Sequence, residues 1–210
     1  MPSLRQLLAA HGSLLLIDAA SARVQVGLLK RDQPARWAGS NEESGVGVFR
    51  SLEQLAVEPS AAGAFVFCEG PGSVLGIRTV AMALRTWNVL QPHPVYAYHS
   101  LALVAQALAR PGATIIADAR RDSWHCVSLD SALRRVPTAE LAGELIMPEG
   151  FRHWSTLPPD VTPTPYSLAD LLPLVADRDL FRATDAPDAF LHEEPSYATW
   201  TPQIHRAPTP

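Results

Sequence analysis

The sequence is short of several residue types that common functional motifs require. Only one of its 17 basic residues is a lysine, Lys30, so a P-loop of the G-x-x-x-x-G-K-[ST] type is absent. No two glycines are adjacent, and beyond Gly112 only Gly143 and Gly150 remain. The seven histidines form no H-x-x-x-H or H-E-x-x-H pattern, which is the usual arrangement of zinc-hydrolase ligands. These absences argue against a P-loop NTPase and against a helical zinc-hydrolase site.

Cysteines and long apolar runs are also scarce. The two cysteines, Cys68 and Cys126, each fall inside a predicted strand, which favours buried free thiols in a reducing compartment over a disulfide. The apolar stretch 4–17 suggests a signal sequence, but His11-Gly12-Ser13 interrupts it. No run approaches the roughly 18 apolar residues of a membrane span. We therefore expect a cytoplasmic protein with a short helix over residues 4–10.

The overall composition is that of a globular protein. Hydrophobic residues make up 47% of the 210 positions, which is enough for a substantial core. The formal net charge is −4 and the isoelectric point is near 5.9. Phosphate neutralisation needs a basic surface that this total does not promise. We therefore expect any RNA contact to be made by a partner protein.

The first half alternates between strand and helix patterns. Residues 13–18 are an apolar run typical of a buried strand, and residues 23–29 alternate like an antiparallel neighbour. The further predicted elements are a strand over 34–38, a helix over 42–57, a strand over 64–68, a helix that begins after Ser73, a strand over 94–98 and a helix capped by Ser100. The expected order is therefore β-β-β-α-β-α-β-α.

The second half repeats the strand pattern with which the first half begins. Residues 114–118 are an apolar strand that ends in Asp118, as the first strand ends in Asp18, and residues 124–129 alternate behind it. This repeat of strand, Asp, turn and strand indicates an internal duplication. Because 11 of the 19 prolines lie at or after Pro148, we expect an irregular connection over 158–165, one helix over 167–174 and a loose tail from Glu193.

One junction stands out between the strand over 64–68 and the helix that follows. Gly70 and Gly72 allow backbone conformations that a β-carbon forbids, Pro71 stiffens the turn and Ser73 is the natural N-cap. Unpaired N–H groups at such a helix start can hold an anion or a partner's carboxylate. A tight turn kept only for packing explains the same residues. Ser73 is not a candidate nucleophile, since no G-x-S-x-G motif surrounds it.

Three stretches, with a fourth near the C-terminus, resemble the bacterial TsaB (YeaZ) family. Residues 15–20 (LLIDAA) are similar to the family's opening strand-Asp-Thr-Ser/Thr, and residues 70–78 (GPGSVLGIR) resemble its G-P-G-S-F-T-G-hydrophobic-R signature. Residues 118–121 (DARR) stand where the family has D-A-R, and residues 194–197 (EPSY) resemble its C-terminal P-x-Y. Leu75 in place of the usual Thr, and the extra N-terminal helix, indicate a divergent member.

The resemblance implies a fold and a role. The fold is α/β, of the actin/hexokinase-like (ribonuclease H-like) duplicated ATPase class, with an N-terminal lobe over 1–111 and an abbreviated C-terminal lobe over 112–210. The role is that of a non-catalytic scaffold subunit that binds a TsaD-like catalytic partner, together with a TsaE-like ATPase, for threonylcarbamoylation of the adenosine next to the tRNA anticodon. We expect no activity of the chain alone, no cofactor or metal, tRNA contact only through the complex, and a possible homodimer in isolation.

The resemblance also points to candidate residues. In active relatives of this fold, carboxylates at the ends of the two opening strands flank phosphates and a magnesium ion. Here the corresponding site is expected to be vestigial, and its residues are Asp18, Glu69, Gly70, Pro71, Gly72, Ser73, Gly76, Arg78, Asp118 and Arg120. We expect strand-end capping for the two aspartates, and an ion pair between Arg78 and Glu69. The residues expected at the partner interface are Ile77, Val80, Ala81, Leu84, Arg85 and Trp87.

Three alternatives stay open at this point. The chain could be an autonomous small ATPase or kinase that uses Asp18 and Asp118 with magnesium, although no adenine-binding loop is evident. It could instead be a self-associating protein without a role in RNA modification. The amphipathic helix after Ser73 could also be ordinary core, because most such helices bury their apolar face within their own chain.

Overall fold

The structure, a computed structural model, describes residues 1–191, so the possible P-x-Y remnant at 194–197 lies outside it. The elements of the first half are α1 (Leu4–His11), β1 (Ser13–Asp18), β2 (Val24–Lys30), β3 (Arg36–Ser40), α2 (Ser44–Leu55), β4 (Ala64–Gly70), α3 (Val74–Leu90), β5 (Val95–His99) and α4 (Ser100–Leu108). The order predicted from the sequence is confirmed, including the additional helix at the N-terminus.

The described part of the second half, residues 112–191, has six strands and one α-helix. Its elements are β6 (Ala113–Asp118), β7 (Ser123–Ser128), β8 (Arg134–Pro137), β9 (Glu144–Pro148), β10 (Thr162–Thr164), α5 (Leu168–Leu174) and β11 (Arg182–Ala183). A 3₁₀ turn over Thr138–Glu140 stands where the first half has α2. The helix at 167–174 is confirmed, but the expectation of an irregular 158–165 is wrong, because β10 lies within it.

The two halves share one strand order. In the first sheet, β11-β5-β4-β1-β2-β3, the opening strand β1 is antiparallel to β2 and parallel to β4. In the second sheet, β10-β9-β6-β7-β8, strand β6 is likewise antiparallel to β7 and parallel to β9. The repeat of strand, Asp, turn and strand in the sequence therefore corresponds to a repeated topology.

Both faces of the first sheet are covered. Leu14, Leu15, Leu16 and Ile17 on β1 are fully buried, which explains why this strand is continuously apolar rather than alternating. Helices α2 and α3 contact each other and the strands of this sheet, while α4 contacts strands of both sheets. The short strand β11 pairs with β5, so the chain returns to the first sheet after passing through the second.

Several local expectations are refined by the structure. The third strand begins at Arg36, two residues later than the sequence suggests. Ser100 is the first helical residue of α4 and not its cap, which is His99. Cys68 and Cys126 are both buried and free, as predicted. Among residues 1–191, no helix has both the length and the apolar character needed to cross a membrane.

Candidate functional site

Asp18, at the end of β1, is completely enclosed by its own chain. The Ala20 N–H donates to its Oδ1 at 2.9 Å, and the hydroxyls of Tyr98 and Tyr166 donate to its Oδ2 at 2.6 and 2.7 Å. Burial raises the pKa of Asp18, and the hydrogen bonds from Tyr98, Tyr166 and Ala20 oppose that rise. The expected strand-end capping role is confirmed at this position. Three donors occupy the carboxylate, so it does not face any ligand.

The Asp18 contact also joins the two halves of the chain. Tyr166 precedes α5, and its backbone carbonyl accepts a hydrogen bond from Gln25 Nε2 at 3.1 Å. The Gln25 Oε1 in turn accepts from the Leu168 N–H at 2.9 Å. All four residues are buried, where such bonds are costly to leave unmade. The first hairpin is therefore bonded to the second half through buried polar groups.

The junction loop between β4 and α3 is held against the end of β1. The Ser73 N–H donates to the Ala20 carbonyl at 2.7 Å, and the Ser100 hydroxyl donates to the Pro71 carbonyl at 2.6 Å. Ser73 is the N-cap of α3, as predicted, and accepts from the Gly76 N–H at 3.3 Å. At Gly72, where φ is 154°, a β-carbon would lie 2.5 Å from the Ala20 carbonyl oxygen. A glycine is needed there because the two backbones touch.

Glu69 has different partners from the one predicted. Its carboxylate lies 2.6 Å from Arg182 Nη2 on β11 and 3.1 Å from His99 Nε2 on β5. Arg78 instead lies 3.6 Å from Asp188, so the expected Arg78–Glu69 pair is wrong. Glu69 is the penultimate residue of β4 and lies beside strands β5 and β11, and Arg182 reaches it only because β11 returns to this sheet.

The Glu69 charge is neutralised within this cluster. Burial alone would raise its pKa, but the contacts with His99 and Arg182 outweigh burial and lower it. Glu69 is therefore ionised and paired at neutral pH. Arg182 supplies a positive charge and His99 a second contact, so Glu69 does not present an unpaired negative charge at the junction loop.

Asp118 occupies in the second half the position that Asp18 has in the first. Its carboxylate accepts from the backbone N–H of Arg120 and Trp154, and from the Ser155 N–H at 2.7 Å and hydroxyl at 3.2 Å. Burial would raise the pKa of Asp118, but the Ser155 and Trp154 N–H groups in particular lower it. Asp118 thus ties the β6–β7 hairpin to the loop after β9, and its capping role is confirmed. Within residues 1–191, no group of three or more His, Cys, Asp or Glu side chains is placed to hold a metal ion.

A crevice of about 700 Å³ separates the junction loop from the β6–β7 hairpin. It brings together residues 70–73 with Asp118 and Arg120, as the sequence predicted, but four other predicted site residues do not line it: Asp18, Glu69, Gly76 and Arg78. The second half supplies further residues that the sequence analysis did not single out: Arg121, Arg135, Arg152 and Trp154. These lie on a turn, a strand and a loop whose positions only the fold brings together.

Four of the six residues predicted at a partner interface are buried inside the chain. Ile77, Val80, Ala81 and Leu84 are at most 2% exposed and belong to the core, so this part of the prediction is wrong. Helical spacing of apolar residues identified the face of α3 that packs on the sheet. Arg85 is exposed and contacts Asp188, and Trp87 is partly buried against Phe65 and Phe49.

The outer face of α2 and α3 nevertheless exposes large apolar side chains. Leu75 is 78% exposed and Met82 57% exposed on α3, and Val46 and Phe49 are about half exposed on α2. The two helices contact each other. We call Val46, Phe49, Leu75 and Met82 the outer apolar face. Exposed clusters of this kind are uncommon on monomeric proteins and often mark interaction surfaces.

Comparison with known proteins found similar structures but no matching sequence family. No family model matches the chain, and no curated protein matches it. The solved structure of YeaZ from Pseudomonas aeruginosa matches with a TM-score of 0.56 and 23% identity, over 78% of this chain and 90% of that one. A second structure, of an uncharacterized protein with similarity to peptidase YeaZ from Pseudomonas aeruginosa, matches with a TM-score of 0.55 and 21% identity, over 79% of this chain and 90% of that one. At these identities the likeness shows that the chain has the YeaZ fold.

Proposed function

We propose that this chain is a TsaB (YeaZ)-type subunit: a cytoplasmic, non-catalytic scaffold that binds a TsaD-like catalytic protein for threonylcarbamoylation of the adenosine next to the tRNA anticodon. The observation that carries the proposal is the YeaZ fold, which matches over most of both chains. The match to the family's G-P-G-S-x-x-G-x-R string at residues 70–78 supports it independently. Repetition of one strand order in both sheets supports an actin-like duplicated architecture.

The state of the opening aspartate supports a non-catalytic role. An actin-like ATPase needs this carboxylate to face the phosphates and magnesium. In this chain Asp18 is fully enclosed, and Tyr98 and Tyr166 occupy one of its oxygens. Exposing it would break two hydrogen bonds to a buried carboxyl group, and a buried polar group left without its partner costs about 1–3 kcal/mol. The chain therefore lacks an accessible carboxylate at the first of the two expected positions.

The outer apolar face is the surface proposed for the catalytic partner. It lies on α2 and α3, and the α3 start contains the family-like string. A crevice of about 300 Å³ beside it, lined by Phe49, Leu52 and Trp87 among others, offers a place for a partner's apolar side chain. Central apolar anchors that fill such pockets dominate binding energy at protein interfaces.

Isothermal titration against the TsaD-like protein of the same genome tests this proposal. We expect Met82→Arg to weaken binding about thirtyfold or more, since a charge left unpaired in an apolar interface costs about 2 kcal/mol or more. Leu174→Arg is the matched control, because Leu174 is 66% exposed on α5 and lies outside the outer apolar face. The absence of binding by the unmodified chain at tens of micromolar would refute the proposal, and light scattering without the partner would show whether the same face forms a homodimer.

The alternative of an autonomous ATPase has a separate test. A thermal-shift assay with ATP and magnesium would show stabilisation of about 2.7 kcal/mol at a hundredfold the dissociation constant. We expect no magnesium-dependent shift, because Asp18 is enclosed. A magnesium-dependent shift that Asp18→Asn abolishes would favour the ATPase over the scaffold subunit.

A further inference from the structure

Three arginines on the second-half wall of the crevice are not paired with any acidic side chain that the structure describes. Arg120, Arg121 and Arg152 are exposed and line the crevice. Among residues 1–191, none of the three lies within 4.0 Å of a carboxylate oxygen. The chain as a whole carries a net charge of −4. Positive charge is therefore concentrated at one place on an otherwise acidic protein, which net charge alone does not reveal.

The turn that presents Arg120 and Arg121 is held in a fixed conformation. Arg120, Arg121 and Asp122 all have positive φ, between 52° and 63°. The Asp118 carboxylate accepts the Arg120 N–H, and Arg135 Nη2 donates to the carbonyls of Ala119 and Arg120 at 3.4 Å. Left-handed backbone at three successive residues that are not glycine costs energy and persists only where surrounding contacts support it. The hairpin tip is thus a supported structure that directs arginines to the crevice.

An aromatic ring lies beside the arginines. The guanidinium carbon of Arg120 is 4.2 Å from the centroid of the Trp154 ring, and Trp154 is 62% exposed. The Trp154 backbone is fixed by its N–H bond to Asp118. Planar guanidinium and indole groups are the two kinds of side-chain surface on which unpaired nucleobases stack.

The facing wall is the start of α3. The first-turn N–H of Gly76 bonds to the Ser73 hydroxyl, whereas those of Val74 and Leu75 have no acceptor among the described residues. Both residues line the crevice, at the positive end of a 17-residue helix. Asp118 is the one carboxylate among the crevice-lining residues that the structure describes, and its oxygens are occupied by backbone donors and Ser155. The crevice therefore presents donors and cations to whatever enters it.

We propose that this crevice binds a single-stranded segment of RNA without a metal ion. Its phosphates lie against Arg121, Arg152 and the start of α3, and an unpaired base stacks on the Arg120–Trp154 pair. The groups lie on three separate chain segments and are exposed, which suits an extended strand better than one enclosed nucleotide. The choice of RNA rests on the proposed function. The site deepens that function by giving the scaffold a direct contact with the substrate nucleic acid.

Salt dependence provides the first quantitative expectation. Each phosphate contact with a single strand contributes about −0.7 to the slope of log K against log salt concentration. Phosphate contacts with Arg121 and Arg152 therefore predict a slope of about −1.4 for the full-length chain. The double variant Arg121→Ala, Arg152→Ala is expected to bring the slope close to zero.

The experiment is fluorescence anisotropy with the full-length chain and a labelled RNA hairpin that has a single-stranded loop, with a fully paired RNA as comparison. We expect tighter binding of the hairpin, about tenfold loss of that preference in Trp154→Ala, and about tenfold or greater loss of affinity in the double arginine variant. Arg178→Ala is the matched control, because Arg178 is exposed and lies outside the crevice. It is expected to bind like the unmodified chain. Thermal melting confirms that each variant is folded.

Several results would overturn the assignment. Equal loss in Arg178→Ala and in the arginine pair would mean non-specific attraction, and equal binding of paired RNA would remove the role of Trp154. Competition by inorganic phosphate or by ATP without magnesium at lower concentration than RNA would assign the site to small phosphates instead. Titration of the crevice variants with the TsaD-like protein separates the two proposals. If a crevice variant loses RNA binding but still binds the TsaD-like protein, both proposals are supported. If the unmodified chain binds RNA but does not bind the TsaD-like protein, the proposed partner is wrong and only the crevice site stands.

Discussion

Removal of a single hydroxyl, in Tyr166→Phe, tests whether Asp18 is a structural link between the two halves. The hydroxyl donates to Asp18 Oδ2 at 2.7 Å, and Asp18 has no exposed surface through which water could replace the lost bond. A hydrogen bond to a charged group contributes about 1.5–3 kcal/mol. The ring remains packed on Phe151, whose centroid is 5.0 Å away, so little packing is lost. We expect unfolding free energy to fall by about 1.5–3 kcal/mol at pH 7, or about 3–12 °C in melting temperature.

The same substitution has a predictable dependence on pH. Burial raises the folded-state pKa of Asp18 above 3.8, so the folded protein binds this proton more tightly than the unfolded chain does. The stabilisation that the folded protein gains from binding this proton is therefore fully present below pH 3.8. It is lost as the pH rises through the folded-state pKa of Asp18. The Asp18→Asn variant has no proton to bind at this position. Its stability relative to the unmodified chain therefore rises between pH 3.8 and the folded-state pKa of Asp18. The cost of Tyr166→Phe is expected to be larger above the interval, where the carboxylate is charged.

Urea denaturation of Tyr166→Phe, Asp18→Asn and the double variant measures the link directly. We expect a coupling energy of about 1–2 kcal/mol, because both single variants weaken the same hydrogen bond between the Tyr166 hydroxyl and the Asp18 carboxylate. Tyr96→Phe is the matched control, since its hydroxyl bonds to His11 at 2.9 Å and not to Asp18. Its effect is expected to add to that of Asp18→Asn. A loss below about 0.5 kcal/mol in Tyr166→Phe, or additivity with Asp18→Asn, would refute the reasoning.

Two further changes test the junction loop and its neighbour strand. Arg182→Ala is expected to cost about 1–2 kcal/mol at pH 7, less than a fully buried pair because Arg182 is half exposed. Since the folded-state pKa of Glu69 lies below 4.5, that contribution is present above pH 4.5 and is lost as pH falls through the folded value, so urea midpoints of the two proteins should converge there. Gly72→Ala is expected to cost about 2 kcal/mol or more, because its β-carbon would overlap the Ala20 carbonyl. Gly112→Ala, at φ 84° with nothing within 4 Å, isolates the backbone cost of about 1 kcal/mol, and equal losses in the two alanine variants would contradict the close contact at Gly72.

Much of the first half could be predicted from the sequence because its signals are local. Strand β1 is a continuous apolar run that ends in Asp18, and α3 begins after a serine flanked by turn residues. Cap chemistry and hydrophobic period act over one or two turns, so they are readable without knowing the fold. The missed strands β8 to β10 are short and contain prolines or charges, and they become strands only because β8 pairs with β7, β9 with β6 and β10 with β9.

The candidate sites were predicted less well because side-chain partners are set by long-range pairing. The expected partner of Glu69 was Arg78, nine residues away in the chain, whereas the actual partner is Arg182. Four of the six residues expected at an interface lie on the apolar side of α3, and that side is the one the sheet covers. Helical spacing of apolar residues predicts that a helix has a buried face, but it does not show whether the opposite face stays exposed.

By itself, the sequence determined the order of elements in the first half, the repeated strand and aspartate, and the glycine-rich start of α3, because each depends on residues within a few positions of one another. Only the tertiary structure decided that Asp18 is enclosed by two tyrosines, that β11 returns to neutralise Glu69, and that arginines from the second half face the start of α3. Those contacts join residues far apart in the chain. Their free energy becomes available only after both sheets have packed, so no local pattern reports them.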